Sequence, residues 1–408
     1  MSMFVVYATP FFTQNTMGLV EAFAHLEGIR LGVISQEPQE VLPPELRSRF
    51  VGHWRVHDAL NLDQLTWAAN ELARRHGPIQ RLIAANEQIQ YPLAQVRDRL
   101  QIPGMSAETV LNFRDKGRMK DIFKEHGIPC ARHCRAVSAD DAWAFVQEVG
   151  FPICVKPVDG AAAQSTYRVE SSRSLRELLS SRPATEYAPL QLEEFLVGQE
   201  HSFESVTLGG ASVWHSWTRY QPTPLDVMRN PWIQWRIVLP REVDDENFEE
   251  IREHGPKALK ALGMGTGLSH MEWFRRSDGR IAIGEVGARP PGAQITTMMD
   301  RAHDFHSEGA WARLMVFGEF DPPKERKYAV GNAFLRGLGG GRVKGVVGLE
   351  KVFGEIGDCI TDYRIPQLGQ PAAITYEGEG FIIVRHPETR VVDEMLQYII
   401  NTVRVELV

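Results

Sequence analysis

A chain of 408 residues is too long for one ordinary core, so two or three packed domains are expected. Hydrophobic residues at 43% and charged residues at 24% exclude a disordered chain. A formal charge of -7 argues against a general surface for nucleic acid or anionic membrane, so an anionic small molecule would need local basic groups. Four cysteines, Cys130, Cys134, Cys154 and Cys359, are too few for a disulfide scaffold and suit a reducing cytoplasm. Cys130, His133 and Cys134 resemble a metal half-site, but no second Cys/His pair with finger-like spacing follows, so zinc is not expected. The opening MSMFVVYATPFF reads as a first strand rather than a signal peptide, and no run approaches the roughly 18 apolar residues of a spanning helix. A cytoplasmic protein is expected.

In chain order, residues 4–8 read as a strand, 17–25 as a helix and 30–35 as a second strand. A long helical pattern over 62–75 leads into a third strand at 81–85, and this alternation suggests an open parallel sheet. Asn86 and Glu87 follow that strand's carboxyl end, where such sheets place ligand-facing loops. A helix start capped by Asn86 fits the sequence equally well. Residues 112–127 are helical and charged, ending at Gly127-Ile128-Pro129, and 139–149 form a further helix closed by Gly150. Strand-like runs at 153–157, 167–170, 190–193 and 202–208 suggest an α+β domain. The stretch 214–235 holds Trp214, Trp217, Trp232 and Trp235 with three prolines, and reads as a loop or lid whose aromatics suit packing better than cavity lining. Its His215 and Arg219 mark a candidate acceptor surface for an aromatic or bulky partner. Residues 331–408 read as a final α+β piece with a turn at 339–341, a strand at 381–385 and an amphipathic helix at 391–403.

The chemistry concentrates in a few positions. Residues 268–274 and 281–286 read as a hairpin around Ser277-Asp278-Gly279, which brings Glu272 and Glu285 near one another. Two carboxylates so close repel unless a cation lies between them, and Mg2+ prefers a few carboxylates plus phosphate oxygens. His270 shares the face of Glu272 and joins the catalytic candidates. Arg289, on a turn braced by glycine and proline, is placed to hold a phosphate or carboxylate by its fork. Lys156 closes a buried strand, where a lysine needs an anionic partner. The loop 159–166 is made of small residues, Ser165 among them, which lets backbone N–H groups approach phosphates, although no P-loop Gly-Lys-Ser/Thr follows.

The order of these pieces resembles one family. Arg114-Asp115-Lys116 with Met119-Lys120 and Gly127-Ile128-Pro129, then Pro152-Ile153-Cys154-Val155-Lys156-Pro157, resemble the opening of an ATP-grasp domain. Glu193-Glu194-Phe195-Leu196-Val197-Gly198-Gln199-Glu200-His201-Ser202 resembles its hinge, followed by His270-Met271-Glu272 and Glu285-Val286-Gly287-Ala288-Arg289. The likeness covers nearly the whole chain, in the biotin-carboxylase-like and carboxylate–amine ligase branch. It implies a mixed α/β and α+β protein: an open parallel-sheet, Rossmann-like domain over 1–108, an ATP-grasp fold over 109–325 with a lid subdomain near 130–197, and a C-terminal α+β subdomain over 326–408. Lys116 and Lys156 would contact ATP phosphates, Glu193, Glu194, Phe195 and Leu196 would face adenine, and Glu200 would hold the ribose. Glu272 and Glu285 would bind Mg2+, with Mn2+ as an alternative, and Arg289 would steady an acyl phosphate or substrate carboxylate.

Two positions depart from the family pattern. Gly287 stands where a metal-binding Asn is usual, and Ala161-Ala162-Ala163 replace glycines in the phosphate loop. The expected function is a carboxylate–amine ligase making a dipeptide or amino-acid conjugate, with small-molecule partners, no nucleic acid or membrane, and a homodimeric state. A biotin-carboxylase-like or purine-pathway enzyme is the alternative within the fold, and a nucleotide-binding subunit without turnover the alternative outside it.

Overall fold

The strand–helix alternation of the first hundred residues forms a parallel sheet in the computed structural model, which describes residues 2–158, 166–230 and 233–408. Its strands β1 (Met3–Thr9), β2 (Ile29–Ser35), β3 (Phe50–Arg55) and β4 (Arg81–Ile83) lie in the order β3-β2-β1-β4. Phe4 to Ala8 are all buried, because helices cover both faces of a central parallel strand and leave no polar side. β3 escapes the sequence reading because it is an edge strand with no continuous apolar run. The strand order reverses between β2-β1 and β4, and ligand crevices of open sheets lie at such a reversal. Asn86 and Glu87 sit there. Asn86 accepts a hydrogen bond from the Thr9 hydroxyl at 3.1 Å, and the next helix begins only at Gln90, so Asn86 does not cap it.

The helix expected over 112–127 is two helices, Ala107–Arg114 and Lys116–Glu125. Asp115 between them is extended, and its carboxylate caps the second helix by accepting from the Arg118 N–H. That break places Lys116 in a first turn. A second sheet holds β5 (His133–Ala136), β6 (Ile153–Pro157), β7 (Tyr167–Val169) and β8 (Leu190–Glu194) in the order β5-β8-β6-β7, and its pairings are antiparallel.

The largest sheet has eight strands: β9 (Gly198–Leu208), β10 (Ala211–Gln221), β11 (Arg236–Leu239), β12 (Gly267–Arg276), β13 (Ile281–Gly287), β14 (Ala329–Leu335), β16 (Ile360–Arg364) and β17 (Gly380–His386). β15 (Val343–Val347) pairs apart from it with β18 (Arg404–Leu407). The order β13-β12-β9-β10-β11-β14-β17-β16 carries the C-terminal strands in the same sheet as the acid-bearing hairpin. No helix among the described residues is long and apolar enough to cross a membrane.

The tryptophan-rich stretch is not a loop or lid. Its described residues form β10, the helix Pro224–Arg229 and the lead into β11. Pro224 fits because the first helical position has no intrahelical N–H partner to lose, so Pro222 and Pro224 mark a turn and a helix start, while Pro231 lies outside the described residues. Trp217 and Trp235 are buried, whereas Trp232 lies outside the described residues. Arg219 pairs with Asp393 at 2.8 Å and His215 stacks on Phe203, so neither belongs to an open acceptor surface.

His201 lies on the face of β9 opposite Glu200, and that face is buried in the core. Its ring is 1% exposed and stacks on Trp273 at 4.5 Å between the edges of Phe248 and Trp217. Neither ring nitrogen has a hydrogen-bond partner among the described residues. Burial, with Arg275 and Arg219 nearby, pushes the imidazole down to about 3. The unfolded chain therefore takes up this proton near pH 6.5 and the folded one does not. Stability should fall as pH drops from 6.5 toward 3, by up to about 1.4 kcal/mol per pH unit from this group. His201→Phe keeps the ring packing and removes the titration. Thermal unfolding between pH 7 and pH 5 should show a shallower decline in the variant, and an unchanged slope would refute the assignment.

Candidate active site

A cavity of about 480 Å3 lies where the small sheet, the β12–β13 hairpin and the loop after β4 meet. Along β12, alternation turns His270, Glu272 and Phe274 to one face, and all three line the cavity. Glu272 and Glu285 are direct cross-strand partners. The register then slips so that Trp273 faces Ile283, leaving Gly284 as an extra residue. The Lys120 ammonium donates to the Gly284 carbonyl at 2.8 Å and braces this bulge.

Cations answer the acids pair by pair. Lys116 Nζ is 2.9 Å from Glu285, and Lys156 Nζ is 2.9 Å from Glu193, which Lys120 also approaches at 3.7 Å. Burial would raise the Glu285 carboxyl, but Lys116, Lys156 and Arg289 hold it well below the usual carboxylate range. The same contest leaves Glu193 lowered by Lys120 and Lys156. Glu87 accepts from both Arg289 and Arg114, which lower it against its burial. Glu200 differs. Burial and the nearby charges of Glu272 and Asp226 push it well above the ordinary value, so this carboxyl can carry a proton and donate.

His270 Nδ1 lies 2.8 Å from the buried Glu204, and its Nε2 is 3.9 Å from Glu272. Burial opposes its charge, yet Glu204 and Glu272 raise the imidazole to about 9. Glu204 is absent from the sequence reading. A signal existed: Glu200, Ser202 and Glu204 alternate along a strand whose face is buried, which places polar groups toward a site rather than solvent.

Lys116, Lys156, Glu193, Glu194, Phe195, Leu196, Glu200, His270, Glu272, Glu285 and Arg289 all line this one cavity. Glu194 turns its carboxylate to Arg132 at 2.9 Å and Arg276 at 3.4 Å, leaving its backbone as the cavity-facing part. Ser165 and the alanines 161–163 lie outside the described residues. No group of three or more His, Cys, Asp or Glu is arranged to hold a metal among the described residues, so the acids stand as the Glu272–Glu285 pair. At Gly287, a Cβ would meet a carboxylate oxygen of Glu87 at 3.1 Å, so Glu87 occupies the space beside the position where the family pattern has Asn.

Residues 121–302 match the ATP-grasp domain model. An L-arginine-specific L-amino acid ligase of Bacillus subtilis is 25% identical over 259 residues, covering 61% of this chain and 62% of that protein. The matched stretches span between 53% and 62% of the curated relatives' own length. An L-amino acid ligase from Bacillus licheniformis superposes with a TM-score of 0.81 at 16% identity, over 100% of this chain and 99% of that one. A carboxyaminoimidazole ribonucleotide synthase from Aspergillus clavatus complexed with ATP gives 0.73 at 18% identity, over 98% of each chain. Residues 121–302 are thus an ATP-grasp domain, set in a fold shared along the full length of the chain with a solved ligase structure.

Proposed function

We propose that the protein is an ATP-dependent ligase that joins a carboxylate to an amine through an acyl phosphate, making a dipeptide or amino-acid conjugate. The observation that carries the reading is the opposed pair Glu272 and Glu285, ringed by Lys116, Lys156 and Arg289 in one cavity. Two carboxylates set across a hairpin are a donor set that suits Mg2+, which takes a few carboxylates and completes its shell with phosphate oxygens and water. When bound there, Mg2+ would neutralise charge on the transferring phosphoryl group.

The chain's own groups do the rest. Backbone groups of Glu193 to Leu196 face the adenine, and the Glu200 carboxyl is available to the ribose hydroxyls. Lys116 and Lys156 exchange their carboxylate partners for phosphate oxygens. The substrate carboxylate attacks the γ-phosphorus, ADP leaves, and Arg289 holds the acyl phosphate by its fork. The amine then attacks the acyl carbon, phosphate departs, and the amine's proton leaves with it or to water. His270, held by Glu204, fixes the orientation of Glu272. No side chain needs to act as a nucleophile, and positioning with electrostatic stabilisation supplies the acceleration.

The names of the relatives support amino acids as substrates. On this reading the chain divides at residues 1–108, 109–325 with a lid near 130–197, and 326–408. It works as a cytoplasmic homodimer, where four free cysteines suit reducing conditions. The test is ADP release with Mg-ATP against a panel of amino acids and amines. ADP that appears only with particular carboxylate–amine pairs, and stops on chelation of the metal, is the expected result. ATP binding without turnover for any pair would replace the ligase with a nucleotide-binding subunit.

A further inference from the structure

The cavity has two apolar walls, and only one suits a nucleotide. Phe195, Leu196 and Phe274 stand at the hinge, where an adenine would lie. The other wall is Tyr220, Trp235, Ile295 and Tyr376, and it borders Arg289. Ile295 follows Arg289 by six residues, with Gly292 and Ala293 between them also lining the cavity. Tyr376 comes from the segment between β16 and β17. Its phenol is raised by burial and by the charges of Glu272, Glu377 and Glu200, with Arg289 opposing, which places the ring among the groups assigned to the reacting end.

This wall is built to hold its shape. The Trp235 ring stacks on Phe334 at 4.5 Å, meets Tyr376 edge-on at 4.6 Å and Tyr220 edge-on at 5.6 Å. Its indole N–H donates to the Pro222 carbonyl at 3.1 Å. Behind it, Tyr220, Trp235, Ile295 and Phe334 belong to one core cluster with Met298 and Ile383. Beside it, at Gly292, there is room. A Cβ added at Gly292 would meet nothing within 4 Å. A rigid aromatic shelf beside an arginine, with space left by a glycine, fits an apolar side chain whose carboxylate points to the arginine.

We propose that the Tyr220–Trp235–Ile295–Tyr376 wall receives the side chain of the carboxylate substrate, which is therefore an amino acid with a large apolar or aromatic side chain. This rests on the ligase reading and narrows its substrate class. Burying such a side chain should favour leucine and phenylalanine over glycine in kcat/KM by roughly ten- to a hundredfold.

The test uses the full chain with Mg-ATP and hydroxylamine as the amine, so that an acyl phosphate is trapped as a hydroxamate. Glycine, alanine, leucine, phenylalanine and glutamate serve as carboxylates, and phenylalanine binding is measured alongside by calorimetry with Mg-ATP present. Wild type should prefer leucine or phenylalanine. Gly292→Leu, which fills the open space, should move the phenylalanine-to-glycine ratio down by at least about tenfold, and Tyr376→Ala should lower it while Tyr376→Phe restores it. A preference for glycine or glutamate in wild type overturns the proposal, as does a ratio unmoved by both Gly292→Leu and Tyr376→Ala. If no acid gives a hydroxamate but phenylalanine binds and Gly292→Leu abolishes that binding, the ligase reading fails while the wall assignment stands. If neither leucine nor phenylalanine reacts and phenylalanine does not bind, the wall assignment fails.

Discussion

Glu285→Gln should lower kcat for ADP release by about 10^2- to 10^3-fold without weakening ATP binding. The prediction follows from what surrounds this carboxylate. Glu285 opposes Glu272 across the hairpin and sits 2.9 Å from Lys116, with Lys156 and Arg289 also holding its charge. Removing the charge takes away one of only two acids available to a metal at this pair. The same change leaves Lys116 and Lys156 with less negative charge nearby, so a triphosphate should be held at least as well. Loss of turnover with retained affinity is therefore the signature, and it separates a metal-binding acid from one that merely supports the fold. Calorimetric titration with ATP beside a steady-state ADP assay reads both quantities. Glu253→Gln, which removes a surface pair with Lys257, serves as the comparison and should change neither. Turnover within about threefold of wild type in Glu285→Gln would remove this residue from the phosphoryl-transfer site.

The acid pair was legible because its geometry is local. A hairpin with a Ser277-Asp278-Gly279 turn fixes its own register over a few residues, and the two glutamates follow from it. The parallel sheet was legible for a similar reason, since burial on both faces writes itself as apolar runs such as residues 4–8. What escaped depends on distant partners or on edges. β3 is an edge strand and carries no such run. Glu87 stood out by its place after β4, yet its partners Arg114 and Arg289 are 27 and 202 residues away, a separation no periodicity conveys. Glu204 and His270 are joined across 66 residues in the same way. The Trp214–Trp235 stretch misled because prolines signal breaks in the chain without saying how long the break is. Here Pro222 and Pro224 mark a turn and a helix start between two strands, and Trp235 ends up as both core and cavity wall.

Lys120→Met is expected to destabilise the protein by about 1–3 kcal/mol, the range for leaving a polar group without its hydrogen-bond partner. Lys120 is fully buried on the helix Lys116–Glu125, one turn after Lys116 on the same face. The first lysine reaches Glu285 in the large sheet, and the second reaches both the Gly284 carbonyl and Glu193 in the small one. This helix is thus a clamp between the two sheets that flank the cavity. Methionine keeps most of the volume but strands the half-buried Gly284 carbonyl and leaves Glu193 with Lys156 as its remaining counter-charge. The double variant Lys120→Met with Glu193→Gln tests the cause, because the neutral amide that replaces the Glu193 carboxylate has no charge to leave unpaired. Denaturant midpoints for the four proteins of this cycle should give a coupling of about 1–3 kcal/mol. Additive losses would mean that the two residues act independently. Coupling would make Lys120 the residue through which a disturbance at the bulge beside Glu285 is felt at Glu193 and Lys156, so that the acid pair and the Lys156–Glu193 pair keep a common geometry.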